Sequence, residues 1–270
     1  MSPPVITFLS DYGLDDDFVG VCHGVIATIC PQARVIDLTH GVPRHDTRAG
    51  AVILRGSLAY MPAGVHLAVV DPGVGAERRA VALRVADGRL LVGPDNGLLM
   101  LAAERFGGVV EAVEISRSRF RLESVSATFH GRDLFAPVAA RLASGATLAD
   151  AGDRYDPEEL VMLELPQGRH ERGALVAHAI YIDRFGNVQL DVGHEDLACS
   201  GLKLGHPAQL ELASRRRHDA LIARTFADVE PGRLILYEDA YRRLALALSH
   251  GNAAASIGIV RDDELRIRPA

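Results

Sequence analysis

The stretch "VVDPGVGAERR" (69–79) sets a carboxylate, Asp71, and a guanidinium, Arg78, on either side of a turn that contains Gly73 and Gly75. Such a pair can orient and polarise a small polar molecule, or it can close the turn as an ion pair, since Asp also opens turns before Pro and Gly. "ATFHGRDLFAP" (127–137) places His130 just before Gly131 at the start of a helical stretch. An imidazole titrates near neutrality and is suited to take a proton from water. "FLSDYGLDDDF" (8–18) crowds Asp11, Asp15, Asp16 and Asp17 between a strand and a helix. Carboxylates at a helix start interact favourably with its dipole, but four exceed what a cap requires. They could equally bind a sugar diol or a cationic ligand, or chelate Mg2+ through oxygen. "YIDRFGNVQLDV" (181–192) puts Asp183, Phe185 and Asn187 on a tight turn, and "SHGNAA" (249–254) adds Asn252 and Ala253 among small residues. Outside these clusters His23, His40, His45, His66 and His194 read as structural. Cys22, Cys30 and Cys199 are odd in number and lack metal-ligand spacing, so they read as reduced packing residues.

Elements of two kinds must carry these groups. Strand-like runs at 5–10, 33–39 and 65–71 alternate with helix-like runs at 18–30 and 47–61, the pattern of a parallel sheet flanked by helices. The apolar run "VHLAVV" (65–70) reads as a strand buried on both faces, and Asp71 then stands at its carboxyl end, where parallel sheets bind ligands. Two strands around "ADG" follow, then a helix after "PDNG" and another from 132 that ends at Gly145. Residues 156–172 have the polar, proline-containing texture of a linker, with an apolar strand in the middle of the surrounding 152–173 stretch. Beyond them short strands separated by turns predict a small β-barrel or sandwich. The expected division is an α/β domain over 1–155, a linker over 156–172 and a β-rich domain over 173–270.

Composition narrows the function classes. The 270 residues are 48% hydrophobic and 24% charged, as in an ordinary globular protein. A net charge of -6 gives no electrostatic support for nucleic-acid or anionic-membrane binding. No run is long enough to span a bilayer, and the first residues lack the basic start and apolar core of a signal peptide, so a cytoplasmic location is expected.

Taken as an ordered set, "FLSDYGLDDDFVG", "IDLTHGVP", "VVDPGVG..RR", "GPDNGLL", "TFHGRDLFAP", "IDRFGNV" and a closing "GNAA" resemble the S-adenosylmethionine hydroxide adenosyltransferases, relatives of the bacterial fluorinase and chlorinase. The resemblance runs through nearly the whole chain. It implies hydrolysis of S-adenosyl-L-methionine to adenosine and L-methionine by water at the ribose 5′ carbon, with no metal and no cofactor. It also implies a catalytic triad at Asp71, Arg78 and His130, with Asp11 on the ribose hydroxyls and Asp16 and Asp183 near the methionine moiety. Phe185 and Asn187 should line the adenine and methionine pocket, and the backbone at Asn252 and Ala253 should meet adenine. A homotrimer with active sites between subunits belongs to the same resemblance. Where the fluorinase carries Tyr and Thr after the third strand this chain has Asp71 and Val74, and Gly131 replaces its serine near the halide. Two readings of the residues stay open beside it. One is a metal-dependent phosphohydrolase using Asp11, Asp15, Asp16 and His130; the other is a non-catalytic protein that binds adenosine or S-adenosylmethionine.

Overall fold

A computed structural model describes residues 3–270 and divides the chain into two compact units, Met1–Leu163 and Glu164–Ala270. The first contains β1 (Val5–Ser10), α1 (Phe18–Ile29), β2 (Arg34–Thr39), α2 (Thr47–Ser57), β3 (Val65–Val69), β4 (Ala80–Val85), β5 (Leu90–Pro94), α3 (Met100–Arg105), β6 (Val109–Glu114), a π-helical turn (Gly131–Phe135), α4 (Ala136–Ala143), α5 (Leu148–Ala151) and β7 (Asp153–Tyr155). The strands form one sheet in the order β2-β1-β3-β5-β4-β6-β7. The β2-β1, β1-β3 and β3-β5 pairs are parallel, and β4 and β7 run against the rest, so most of the sheet shares one direction. Every residue of β3 is buried, which explains a sequence that is apolar except at His66, whose Nδ1 is bonded to Thr7 at 2.9 Å. Helix α1 buries Val19, Cys22 and Ile26, spaced to lie on one face, and α4 buries Val138, Ala139 and Leu142 against the same core. Asp46 caps α2 by accepting the Ala49 N–H at 2.9 Å.

The second unit contains β8 (Arg169–Glu171), β9 (Ala174–Ile182), β10 (Val188–Gly193), α6 (His194–Cys199), β11 (Pro207–Leu212), β12 (Arg217–Ile222), β13 (Leu234–Glu238), β14 (Arg243–Leu248), α7 (Ala253–Ile257) and β15 (Glu264–Pro269). Pairing runs β10-β14-β13-β12-β11-β15-β9, and β9 pairs back to β10, closing a seven-stranded barrel to which β8 is added outside β9. Alternate residues fill its interior: Val188, Leu190 and Val192 from β10, Leu234 and Leu236 from β13, Leu265 and Ile267 from β15.

Three details differ from the sequence reading. Strands β6 and β7, too short or too polar to stand out, extend the first sheet. The apolar run after Leu160 forms no strand: Val161 and Met162 are exposed, and the Val161 N–H is taken by the Asp95 carboxylate at 2.9 Å. Cys22 and Cys30 pack in the core, whereas Cys199 is exposed at the end of α6. Among the described residues no helix is long and apolar enough to cross a membrane.

Candidate active site

Asp71 lies two residues beyond β3, at the carboxyl end of a central parallel strand. The strand end is clamped there, because the Asn96 side-chain amide of the "PDNG" turn donates to the Val70 carbonyl at 2.8 Å. Arg78 closes the loop just before β4, and its Nε donates to Asp71 Oδ1 at 2.8 Å and Oδ2 at 3.0 Å, with Nη2 also bonded to Oδ2. The same Nη2 donates to His130 Nδ1 at 2.9 Å, so carboxylate, guanidinium and imidazole form one hydrogen-bonded chain. Asp71 and Arg78 are largely shielded, with side-chain exposures of 6% and 12%. Gly75 has φ +79, and an added Cβ would stand 2.6 Å from the Ala127 carbonyl oxygen; only glycine lets this loop lie against the segment that carries His130.

That segment, irregular between β6 and the π-helical turn, is anchored by the fully buried Asp133. Its carboxylate accepts the Ser126 N–H at 2.8 Å and is paired with Arg132, whose Nε donates to Oδ1 at 2.6 Å. Burial holds His130 below the ordinary histidine range, and the nearby Arg78 charge pushes in the same direction. His130 is therefore neutral at neutral pH. Arginine can only donate, so Nδ1 accepts and the ring proton resides on Nε2.

Asp71 and His130 line a cavity of about 420 Å3 together with Asp11, Asp16, Val74 and Gly131, while Arg78 stands behind the two side chains it joins. Sequence reasoning missed several other walls of this cavity: Tyr12, Phe18, Arg44, His45 and Thr128. His45 was expected to be merely structural, yet it lines the cavity, and its backbone N–H donates to Asp11 Oδ2 at 2.9 Å. The signal was available, because Arg44 and His45 follow the carboxyl end of β2 as Asp71 follows that of β3. Tyr12 packs edge-on against Phe8 and Phe129, and burial raises its hydroxyl well above the usual tyrosine range. A Cβ at Gly131 would collide with the Tyr12 hydroxyl and stand 3.0 Å from the ring carbon bearing it.

The other anticipated residues belong to the barrel unit. Asp183 Oδ1 accepts the backbone N–H groups of Phe185 and Asn187 at 2.8 and 2.9 Å, and Oδ2 accepts the Asn187 side-chain amide at 2.8 Å. This carboxylate builds its own turn, on which Phe185 is 64% exposed. The Asn252 side chain caps α7 through the Ala255 N–H at 2.8 Å, and the Ala254 N–H donates to the Gly186 carbonyl at 3.0 Å, so the "IDRFGNV" and "GNAA" turns sit side by side. Ala253 is buried. The ligand set of the phosphohydrolase reading does not assemble: among the described residues Asp11, Asp15, Asp16 and His130 are not a group whose ligand atoms converge for a shared ion.

Residues 6–152 match the SAM hydroxide adenosyltransferase N-terminal domain, and residues 177–266 match the C-terminal domain of the same family. A protein of Salinispora tropica named (R)-S-adenosyl-L-methionine hydrolase is 50% identical over 268 residues, covering 99% of both chains. A fluorinase of Actinoplanes sp. is 29% identical and covers 90% of both. The crystal structure of an uncharacterized conserved protein from Thermotoga maritima superposes with a TM-score of 0.90 at 34% identity, over 97% of this chain and 99% of that one. With both domain types matched in order along the chain, this protein belongs to the SAM hydroxide adenosyltransferase family.

Proposed function

We propose that this enzyme hydrolyses S-adenosyl-L-methionine to adenosine and L-methionine, with the sulfonium of R configuration specified by its relatives' names as the substrate to test first. The observation that carries the reading is the Asp71–Arg78–His130 chain at the wall of a cavity that also holds Asp11 and Asp16. In the reaction a water oxygen forms a bond to the 5′ carbon as the carbon–sulfur bond breaks. The electron pair of that bond leaves on sulfur as the neutral thioether of methionine, so the leaving group needs no acid. One water proton becomes part of the adenosine 5′ hydroxyl and the other is released.

The burden therefore falls on the nucleophile. His130 presents its Nε2–H to the water, and the Asp71 carboxylate, which has lone pairs beyond those used by Arg78, accepts a proton from it. Arg78 positions both groups and keeps His130 neutral, acting through them. Asp11 and Asp16 supply acceptors for ribose hydroxyls and the methionine ammonium. A halide finds no free cation in this pair, because the Arg78 charge that could attract it is already matched by the Asp71 carboxylate. The reading includes a cytoplasmic homotrimer in which the Asp183, Phe185, Asn187, Asn252 and Ala253 turns of one subunit serve the cavity of a neighbour.

The test is incubation with S-adenosyl-L-methionine in oxygen-18 water followed by mass spectrometry. The expected product is adenosine labelled at its 5′ hydroxyl, with turnover retained in EDTA. Unlabelled adenosine, methylthioadenosine, or tight binding without methionine release would each overturn the proposal.

A further inference from the structure

The histidines His23 and His40 turn out to share a carboxylate. His23 projects from α1 and its Nε2 is hydrogen-bonded to Asp37 Oδ1 of β2 at 2.9 Å. His40 Nε2 approaches the same oxygen at 3.0 Å, and all three ligand atoms lie within 4.8 Å of one another. None of the three residues lines the cavity of Asp71 and His130.

His40 is 4% exposed, and its Nε2 is buried without a hydrogen bond, because the Asp37 oxygen lies off the direction of the ring N–H. Its other nitrogen, Nδ1, is bonded to Ser10 Oγ at 2.7 Å. When Nδ1 carries the proton, the Nε2 lone pair is buried without a donor and a carboxylate oxygen stands 3.0 Å to one side of it, an arrangement that a cation shared by the two satisfies. A second partner fixing the far nitrogen is also how protein metal sites orient their histidines. Ligand bonds of about 2.0–2.2 Å in a tetrahedron put neighbouring donor atoms about 3.4 Å apart, so the two nitrogens, at 2.9 and 3.0 Å from Asp37 Oδ1, need move outward by only a few tenths of an ångström to take an ion between them. His23 and Asp37 are 36% and 39% exposed, leaving an entry path and room for water as a further ligand. Two imidazoles and one carboxylate favour borderline divalent ions such as Zn2+, Co2+ and Ni2+ over Mg2+ or Ca2+.

We propose that His23, Asp37 and His40 bind one divalent transition-metal ion, Zn2+ in the first instance, and that this ion fastens the loop carrying Asp11 and Tyr12. The connection to the loop is direct: Ser10 Oγ also accepts the Tyr12 N–H at 3.3 Å, and the His40 carbonyl accepts the Gly13 N–H at 2.8 Å. The ion takes no part in the displacement, so chelation leaves the chemistry in place.

Untagged, chelator-stripped full-length protein is titrated with Zn2+ by calorimetry and with Co2+ by visible absorption. One equivalent per chain binds, with Co2+ bands expected from mixed nitrogen and oxygen ligation, and Zn2+ raises the Tm. His23→Ala and Asp37→Asn, both at partly exposed positions, weaken binding about 100-fold or more and abolish the Tm shift. His194→Ala, at an exposed histidine outside the cluster, binds as the parent does. Absence of stoichiometric binding, or undiminished binding by a folded His23→Ala protein, overturns the proposal.

Discussion

Replacing Arg78 by lysine keeps the positive charge but removes the fork. The guanidinium makes two Nε bonds to Asp71, a third through Nη2, and the bond to His130 Nδ1. A single ammonium cannot reproduce that planar span. If lysine retains the contact to Asp71, the bond to His130 is lost. A hydrogen bond from a charged donor contributes about 1.5–3 kcal/mol. Where that bond serves to hold the imidazole at the water, its loss lowers kcat by about 10- to 150-fold at ~1.4 kcal/mol per decade. Arg78 does not line the cavity, so substrate affinity stays near its original value. Freed from its donor, His130 can also take a proton at Nδ1, and with the guanidinium no longer against it the imidazole pKa rises; the imidazolium keeps its Nε2–H, but its charge opposes the cationic sulfonium and weakens Asp71 as proton acceptor, so activity begins to fall at a higher pH on the acidic side. The assay is adenosine release at saturating substrate across pH, beside a melting curve and calorimetric substrate binding. A folded R78K enzyme with kcat within twofold of the parent and an unmoved acidic limb refutes the positioning role.

Gly131→Ser drives a side chain into the Tyr12 hydroxyl, so Tyr12 must shift at about 1–3 kcal/mol of stability; KM rises, and Tyr12→Phe in the same chain recovers part of the loss in melting and kinetic measurements. His66 is fully buried, bonded through Nδ1 to Thr7 at 2.9 Å, and burial lowers its pKa from 6.5 to about 4. The fold therefore favours the neutral ring, and its stabilisation is complete above pH 6.5 and lost as pH falls toward 4, by up to roughly 3 kcal/mol. Denaturant titrations at pH 7 and pH 4.5 check this, and His66→Gln flattens that part of the slope. Asp183→Ala leaves the Phe185 and Asn187 N–H groups without their acceptor. The melting temperature should fall, by an amount corresponding to about 1–3 kcal/mol; unchanged stability with lost substrate affinity would instead show that the carboxylate serves the ligand alone.

Much of the fold is legible because local pattern and burial agree. The mostly apolar β3, polar only at His66, reads as a central strand, the spacing of Val19, Cys22 and Ile26 could only face one side, and the alternation in β10 requires a sheet with one face inside. Strands β6 and β7 escaped because they are held by pairing with β4 and with each other rather than by their own composition. The site was legible as a set of residue types at strand ends and helix starts: Asp11, Asp71 and His130 stood out from their positions. What no linear reading could supply is that Arg78 bridges Asp71 to His130 from behind, and that Asp183 spends its oxygens on its own turn. Asp37 and His40 stand three residues apart, but His23 likewise joins them only through tertiary packing, from α1. The amino-acid order determined the two kinds of element and which groups stand where strands end, since periodicity and turn chemistry are local. Which atoms touch, and so which nitrogen holds a proton, was decided by tertiary packing, because hydrogen-bond direction and desolvation depend on neighbours remote in the chain.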